Sequence, residues 1–400
     1  MKRNFAHVES RDDKAFRPGG ELDKQAEAIQ LFQPTFRVDE CLDEIRECLE
    51  MGWTGLGFKT LEIESAWRDF TGLPNAHFVN SATAALHLSL EIARDVHGWL
   101  AGDEVITTPL TFVSTNHAIV RAGLSPVFAD VDEYMCLSPI SVLEKITPRT
   151  RAVIFVGLGG STGQLEQVVD VCRAAGLFVI LDAAHMSGTR LRGRDPGHLA
   201  DVTCHSFQAV KNLPTADSGM VCFAESELDG LARKYSWLGI SRDTYSRSHG
   251  GTYAWMYDVD YFGDKYHGNS VMAALALVGL RYLEADNEKR RHIAETYETL
   301  LGSVENLQVV PTPPDCLSSR HLFQILVNDR VSMIRGLHQA GIFPGVHYRA
   351  NTDYSVYAEF QGDTPLAQQA SERLLSLPMH VRLTDDQVQY ISHVVTELTA

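Results

Sequence analysis

The chain has 400 residues, 44% of them hydrophobic and 22% charged, with a formal net charge of −16. That length is long for one core, so two lobes are expected in a soluble globular protein. The acidic balance excludes nucleic acid and anionic membrane surfaces as partners, since both need a basic face, and leaves any phosphate-bearing ligand to local donors.

Residues 1–35 are polar, carry Pro18-Gly19-Gly20, and read as an arm with little structure of its own. Helical spacing over 38–51 is followed by the Gly-rich turn 52–57 and a second helical stretch over 62–70. Short apolar runs then alternate with helical segments: strand 76–79, helix 83–96, strand 104–108, helix 115–122 and strand 126–130. Strand 152–156, helix 165–175, strand 178–182, strand 202–207 and strand 219–223 continue the rhythm. Such alternation predicts an α/β domain with a mostly parallel sheet covered on both faces, and ligands gathering at the carboxyl ends of its strands. Residues 225–262 read as surface loops. A long helix over 270–298, a strand over 322–327 and helices over 331–340 and 384–398 predict a smaller C-terminal α+β lobe. The division expected is an arm (1–35), a large domain (36–265) and a small domain (266–400).

The seven cysteines are odd in number, widely spaced and free of C-x-x-C, so neither a disulfide framework nor a zinc site is expected. The first residues lack the apolar stretch of a signal peptide, and no apolar run approaches the ~18 residues of a membrane span. A cytoplasmic protein with buried free thiols is the expectation.

The most informative residue is Lys211, in His205-Ser206-Phe207-Gln208-Ala209-Val210-Lys211-Asn212. A lysine alone is ordinarily a solvated surface group. This one sits on a turn between two strand-like runs, where desolvation can lower its pKa toward imine chemistry. Asp182 ends a buried strand, and such a carboxylate either caps a helix or meets a cation. An amine able to form a Schiff base, with an acid able to hold a pyridinium nitrogen, is what pyridoxal 5′-phosphate (PLP) asks of a protein. Ser81-Ala82-Thr83, opening a helix, is a candidate phosphate cradle, although Ser and Thr are also common N-caps. Phe112 can stack on a ring or belong to a core.

These residues resemble the DegT/StrS family of PLP-dependent sugar aminotransferases, a branch of the fold-type-I aminotransferases. Gly102-Asp103-Glu104, Thr111-Phe112-Val113, Asp182-Ala183-Ala184-His185, Ser206-Phe207, Lys211-Asn212 and Ser376-Leu377-Pro378 fall in the family's order. The resemblance implies a large α/β/α sheet domain with a smaller C-terminal domain. It implies that Lys211 forms the Schiff base and shuttles a proton, Asp182 binds the pyridine nitrogen, His185 bonds the ring hydroxyl and Phe112 stacks on the ring. Ser81, Ala82, Thr83 and Ser206 would hold the phosphate. It further implies a homodimer with active sites at the interface, glutamate as amino donor and a keto sugar, commonly nucleotide-linked, as acceptor.

The chain departs from the family pattern in three places. Ala82 stands where the family has Gly. In 263–269, either Lys265 or Asn269 takes the place of the Asn that reaches the partner's phosphate, with Lys265 preferred. Arg349 replaces a Pro and either binds an anionic group or lies on the surface. Two other readings stand beside amino transfer. A sugar dehydratase of the same family would carry His in place of Lys211. A non-catalytic regulator on the same scaffold would not need Lys211, Asp182 and the cradle together. The residues leave open which sugar, nucleotide and carbon are involved. Trp53, Trp237, Tyr245, Trp255 and Tyr257 either stack on them or serve in packing.

Overall fold

The computed structural model describes residues 28–241, 257–360 and 362–399. Tyr245 and Trp255 lie outside them, as does most of the N-terminal arm. In chain order the first lobe runs α1 (Val38–Glu50), α2 (Phe58–Thr71), β1 (His77–Val79), α3 (Ala82–His97), β2 (Glu104–Thr107), α4 (Val113–Arg121) and β3 (Ser125–Phe128). It continues with α5 (Pro139–Lys145), β4 (Thr150–Val156), α6 (Leu165–Ala174), β5 (Phe178–Asp182), β6 (Arg190–Leu191), β7 (Val202–Ser206), β8 (Gly219–Phe223) and α7 (Ser226–Tyr235). After it come α8 (Ser270–Leu301), β9 (Leu307–Val309), β10 (Cys316–Leu317), β11 (Phe323–Val327), α9 (Arg330–Gln339), α10 (Pro365–Arg373), β12 (Leu374–Leu377) and α11 (Asp385–Thr399).

The first lobe is a seven-stranded sheet of order β1-β8-β7-β5-β4-β2-β3. Strands β3, β2, β4, β5 and β7 are parallel, whereas β8 runs antiparallel to both its neighbours, β7 and the edge strand β1. The central strand β4 is a continuous run, Thr-Arg-Ala-Val-Ile-Phe-Val, buried along nearly its whole length. That is the signature of a parallel strand covered on both faces. One apolar layer joins α3 and α4 to the sheet, and another joins α6 to the opposite face. A second sheet, β12-β11-β9, is antiparallel and packs with α9 and α11.

Helix α8 spans both regions. Ala273, Ala276 and Leu283 pack with α2 and β8, while Ile293, Tyr297 and Leu301 pack beneath the antiparallel sheet. The end of the arm is docked: Ile29 is buried, pairs with Ile342, and Leu31 accepts from the Met379 N–H.

Three segments correct the sequence reading, one of them α10 (Pro365–Arg373), where no element was expected. Residues 226–235, read as loop, form α7, whose Leu228, Ala232 and Tyr235 bury one face against the sheet. Gly230, in the middle of that segment, obscured the period. Helix α5 was unforeseen, although Ser138 caps it by accepting the Ser141 N–H and Pro139 opens it. All seven cysteines are free, and all but Cys316 are buried.

Candidate active site

A cavity of about 380 Å³ lies at the carboxyl ends of the parallel strands. It is lined by Lys211, Asp182, His185 and Ser206, by Ser81, Ala82 and Thr83 at the start of α3, and by Phe112. The structure thus brings together eight of the nine residues that the sequence assigned to catalysis or the cofactor. Lys265 lies outside the cavity of its own chain: its ammonium stands 5.6 Å from the Trp237 ring centroid and its carbonyl accepts from Asn80.

Asp182 ends β5 and is buried. Its Oδ2 accepts from the Thr115 hydroxyl at 2.7 Å and its Oδ1 from the Ala184 N–H at 3.2 Å. Thr115 is in turn tied to Thr111 at 3.0 Å. Burial raises the Asp182 carboxyl above its ordinary range; these hydrogen bonds and the charge of Lys211 offset this only in part.

Lys211 sits on the turn after β7, its backbone N–H held by the Gln208 carbonyl. Burial lowers its amine from 10.5 to about 8, with Asp182 pulling the other way. At pH 7 that shift raises the neutral, nucleophilic fraction roughly 300-fold. No ion pair joins it to a described residue, so the amine remains available for covalent chemistry.

His185 is held neutral, its pKa pushed well below the ordinary range by burial and by the charges of Lys211 and His347. Its Nδ1 accepts the Gly159 N–H at 3.2 Å, which leaves the proton on Nε2, 3.3 Å from the Tyr348 hydroxyl. The imidazole is therefore an N–H donor facing the cavity. His321 packs behind it with ring centroids 4.3 Å apart, and Phe32 stacks on His321 at 5.1 Å. His321 also meets the Asn212 side-chain oxygen at 3.0 Å.

The start of α3 is an anion cradle. Ser81 caps the helix by accepting the Ala84 N–H at 3.1 Å, and the N–H groups of Ala82 and Thr83 precede any intrahelical acceptor. Ser206 lies opposite, at the end of β7. Gly219 lets β8 approach this helix start: a Cβ there would fall 2.8 Å from the Ala82 nitrogen and 2.6 Å from the His205 carbonyl.

Phe112 is 58% exposed at the cavity wall, with its ring 5.9 Å from that of Tyr348. Asn269 caps α8, its side-chain oxygen accepting the Met272 N–H at 2.9 Å. Arg349 is an exposed group paired with Asp353 and packed over Tyr354, and it does not line the cavity. The sequence reading assigned no role to Thr115, His321, His347 or Tyr348, which all line it. Thr115 was within reach, because it stands in the first turn of a helix that follows a parallel strand. Nothing in the local sequence marks His321.

The donor set fits PLP: an amine without an ion pair, a buried carboxylate, a neutral imidazole N–H and a helix N-terminus facing one cavity. The model of the DegT/DnrJ/EryC1/StrS aminotransferase family matches residues 37–396. The chain is 33% identical over 372 residues to the dTDP-4-dehydro-2,3,6-trideoxy-D-glucose 4-aminotransferase of Saccharopolyspora spinosa, covering 91% of this chain and 95% of that one. It superposes with a TM-score of 0.85 on the aminotransferase TlmJ of Streptoalloteichus hindustanus, at 33% identity, covering 92% of this chain and 98% of the other. The PLP form of Spr1654 from Streptococcus pneumoniae gives a TM-score of 0.84 at 26% identity, covering 93% and 99% of the two chains. Fold, donor set and these likenesses agree: the chain belongs to the DegT/DnrJ/EryC1/StrS aminotransferase family and is a PLP-dependent transaminase.

Proposed function

We propose that this enzyme moves an amino group from an amino acid, with glutamate as the expected donor, to a keto sugar that is nucleotide-linked. It is a sugar aminotransferase of amino-sugar biosynthesis. The observation that carries the reading is the meeting of Lys211 and Asp182 in one cavity, the amine unpaired and the carboxylate held by Thr115 and Ala184.

Bound PLP supplies an electron sink for breaking a Cα–H bond of the donor. Lys211 is the covalent anchor and afterwards the base that carries the proton, for which a pKa of about 8 suits neutral pH. Asp182 would hold the pyridine nitrogen protonated, His185 would donate its Nε2–H to the ring hydroxyl, Phe112 would stack on the ring, and Ala82, Thr83, Ser81 and Ser206 would take the phosphate. Retention of Lys211 stands against a sugar dehydratase, and the whole donor set stands against a regulator without chemistry.

The same reading makes the enzyme a homodimer in the cytoplasm. Phe112, largely exposed at the cavity, and Lys265, outside its own chain's cavity, are then available to a partner subunit. Among the described residues no helix is long and apolar enough to cross a membrane. Residues 36–265 form the cofactor domain and 266–400 the smaller one.

The test is the visible spectrum of the purified protein before and after glutamate. The expected result is a yellow PLP band that falls as a pyridoxamine band rises. A band that ignores glutamate removes glutamate as donor, and no band after incubation with PLP overturns the reading of Lys211.

A further inference from the structure

Behind the catalytic cavity lies a second, much smaller one of about 10 Å³, room for roughly one water-sized occupant. Lys211, Phe32 and His321 line both cavities. The far wall of the small one is Arg290, on α8, with His380.

Arg290 is 8% exposed. Among the described residues its one hydrogen bond is a long one, 3.4 Å from Nη1 to the Asn287 side-chain oxygen. Its neighbour Asp286 is engaged elsewhere, gripped by both terminal nitrogens of Arg37 at 2.7 and 2.8 Å. No described carboxylate forms an ion pair with Arg290. Burial pushes the guanidinium down to about 10, still charged at neutral pH. His380 is 5% exposed; its ring lies near the Gln30 backbone, but neither ring nitrogen makes a well-aligned hydrogen bond to a described residue.

A buried guanidinium that meets no carboxylate is costly unless something charged reaches it. The local inventory is Arg37, Arg290 and Lys211 against Asp286 and Asp182, an excess of one positive charge inside a protein of net charge −16. Water satisfies donors but leaves that excess. A carboxylate balances it but exceeds the space.

We propose that this cavity binds one monovalent anion of halide size, held by Arg290 with an N–H of His380. The anion sits beside Lys211 and favours its ammonium form.

The first test uses crystals of the full chain grown or soaked in bromide. An anomalous peak between Arg290 and His380 is expected, and no peak overturns the proposal. The second compares thermal melting in sodium chloride and sodium gluconate at equal ionic strength. A saturable rise specific to chloride is expected, and it should vanish in Arg290→Met. A bromide peak without chloride-specific stabilisation means an adventitious ion only and overturns the site. So does an Arg290→Met enzyme with a donor KM raised tenfold or more and an unchanged chloride response, because Arg290 would then serve the donor's carboxylate. If Arg290→Met does not fold, Arg290→Lys replaces it, and the bromide crystals of the unmodified protein still decide. In a third arm, chloride should raise the pH midpoint of the holoenzyme's visible band. That arm alone rests on Lys211 carrying PLP, so its failure beside a bromide peak strikes that reading and not the anion site.

Discussion

Two buried carboxylates in this molecule are shifted in opposite directions. Glu64, on α2, accepts from His77 at 3.1 Å, from the Phe78 N–H at 2.8 Å and from Arg233 at 2.9 Å. Burial alone would raise its carboxyl, but the His77 hydrogen bond, the charge of Arg233 and the Phe78 N–H leave it below the ordinary range. Asp182 is equally buried, has two neutral donors, and stays raised. The His77 Nε2 also meets the Ser236 hydroxyl at 2.7 Å, a nucleophile–imidazole–carboxylate series in outline. Ser236 is fully buried, however, and its hydroxyl is taken up by His77 and the Arg233 carbonyl. A buried charge met by three donors, one of them a guanidinium, holds α2, β1 and α7 together. A buried charge left short of partners waits for a ligand.

The sharpest way to break this contrast is Lys211→Ala. Turnover should fall by roughly 10⁴-fold or more, since anchor and proton carrier go together. The melting midpoint of the apoprotein should hold or rise, because a desolvated amine is removed. A variant that keeps its turnover, or unfolds, ends the assignment. The wild-type amine also predicts a pH profile: PLP uptake by apoprotein should climb about tenfold per unit below a midpoint near 8 and level off above it. A flat profile would show that Lys211 is not the group reacting.

Asp182→Asn comes next, with a loss of roughly 10²–10³-fold in turnover. The amide oxygen can still accept from Thr115 or Ala184. A carboxyl whose pKa is raised on folding costs stability once ionised, so at pH 7 the variant should melt no lower than wild type. Calorimetry beside steady-state rates separates the two effects.

Glu64→Gln should do the reverse. Turnover below the melting transition should be unchanged, while stability drops by about 2 kcal/mol, discounted because Arg233 is one-third exposed. The Glu64 carboxyl is depressed on folding. Its contribution is therefore present above the ordinary value of 4.5 and lost as pH falls through its lower folded value. Wild type should lose more stability than the variant across that acid window. Equal losses would remove Glu64 from the structural side of the comparison. The smallest effect expected is Phe112→Ala, with PLP affinity down roughly two- to tenfold in an equilibrium titration and melting nearly unchanged.

The strands at the heart of the sheet were legible. Strands β5 and β8 fall on the predicted residues, and β7 ends one residue early at Ser206. In β5 and β8 continuous apolar runs of four residues leave little alternative once both faces are buried. Short elements of the smaller region, such as β9 and β12, were not legible, because three or four residues show no period. Sequence spacing placed Lys211 and Asp182 at strand exits but said nothing of their neighbours. Thr115 lies 67 positions from Asp182, and His321 lies 109 from Asn212.

What the sequence by itself determined is the list of elements and the residue types at strand ends, since both follow from local periodicity and from chemistry carried on single side chains. Which of those ends meet is decided by strand order. Placing β7 between β5 and β8 sets Asp182 beside the Lys211 turn and presses β8 against the start of α3. Which charges are left unpaired is likewise a tertiary outcome. Asp286 turns to Arg37 and leaves Arg290 facing a cavity, although all three read alike as charged residues in sequence. Partnership among charges depends on distances of a few ångströms between elements far apart in the chain, and only packing sets those distances.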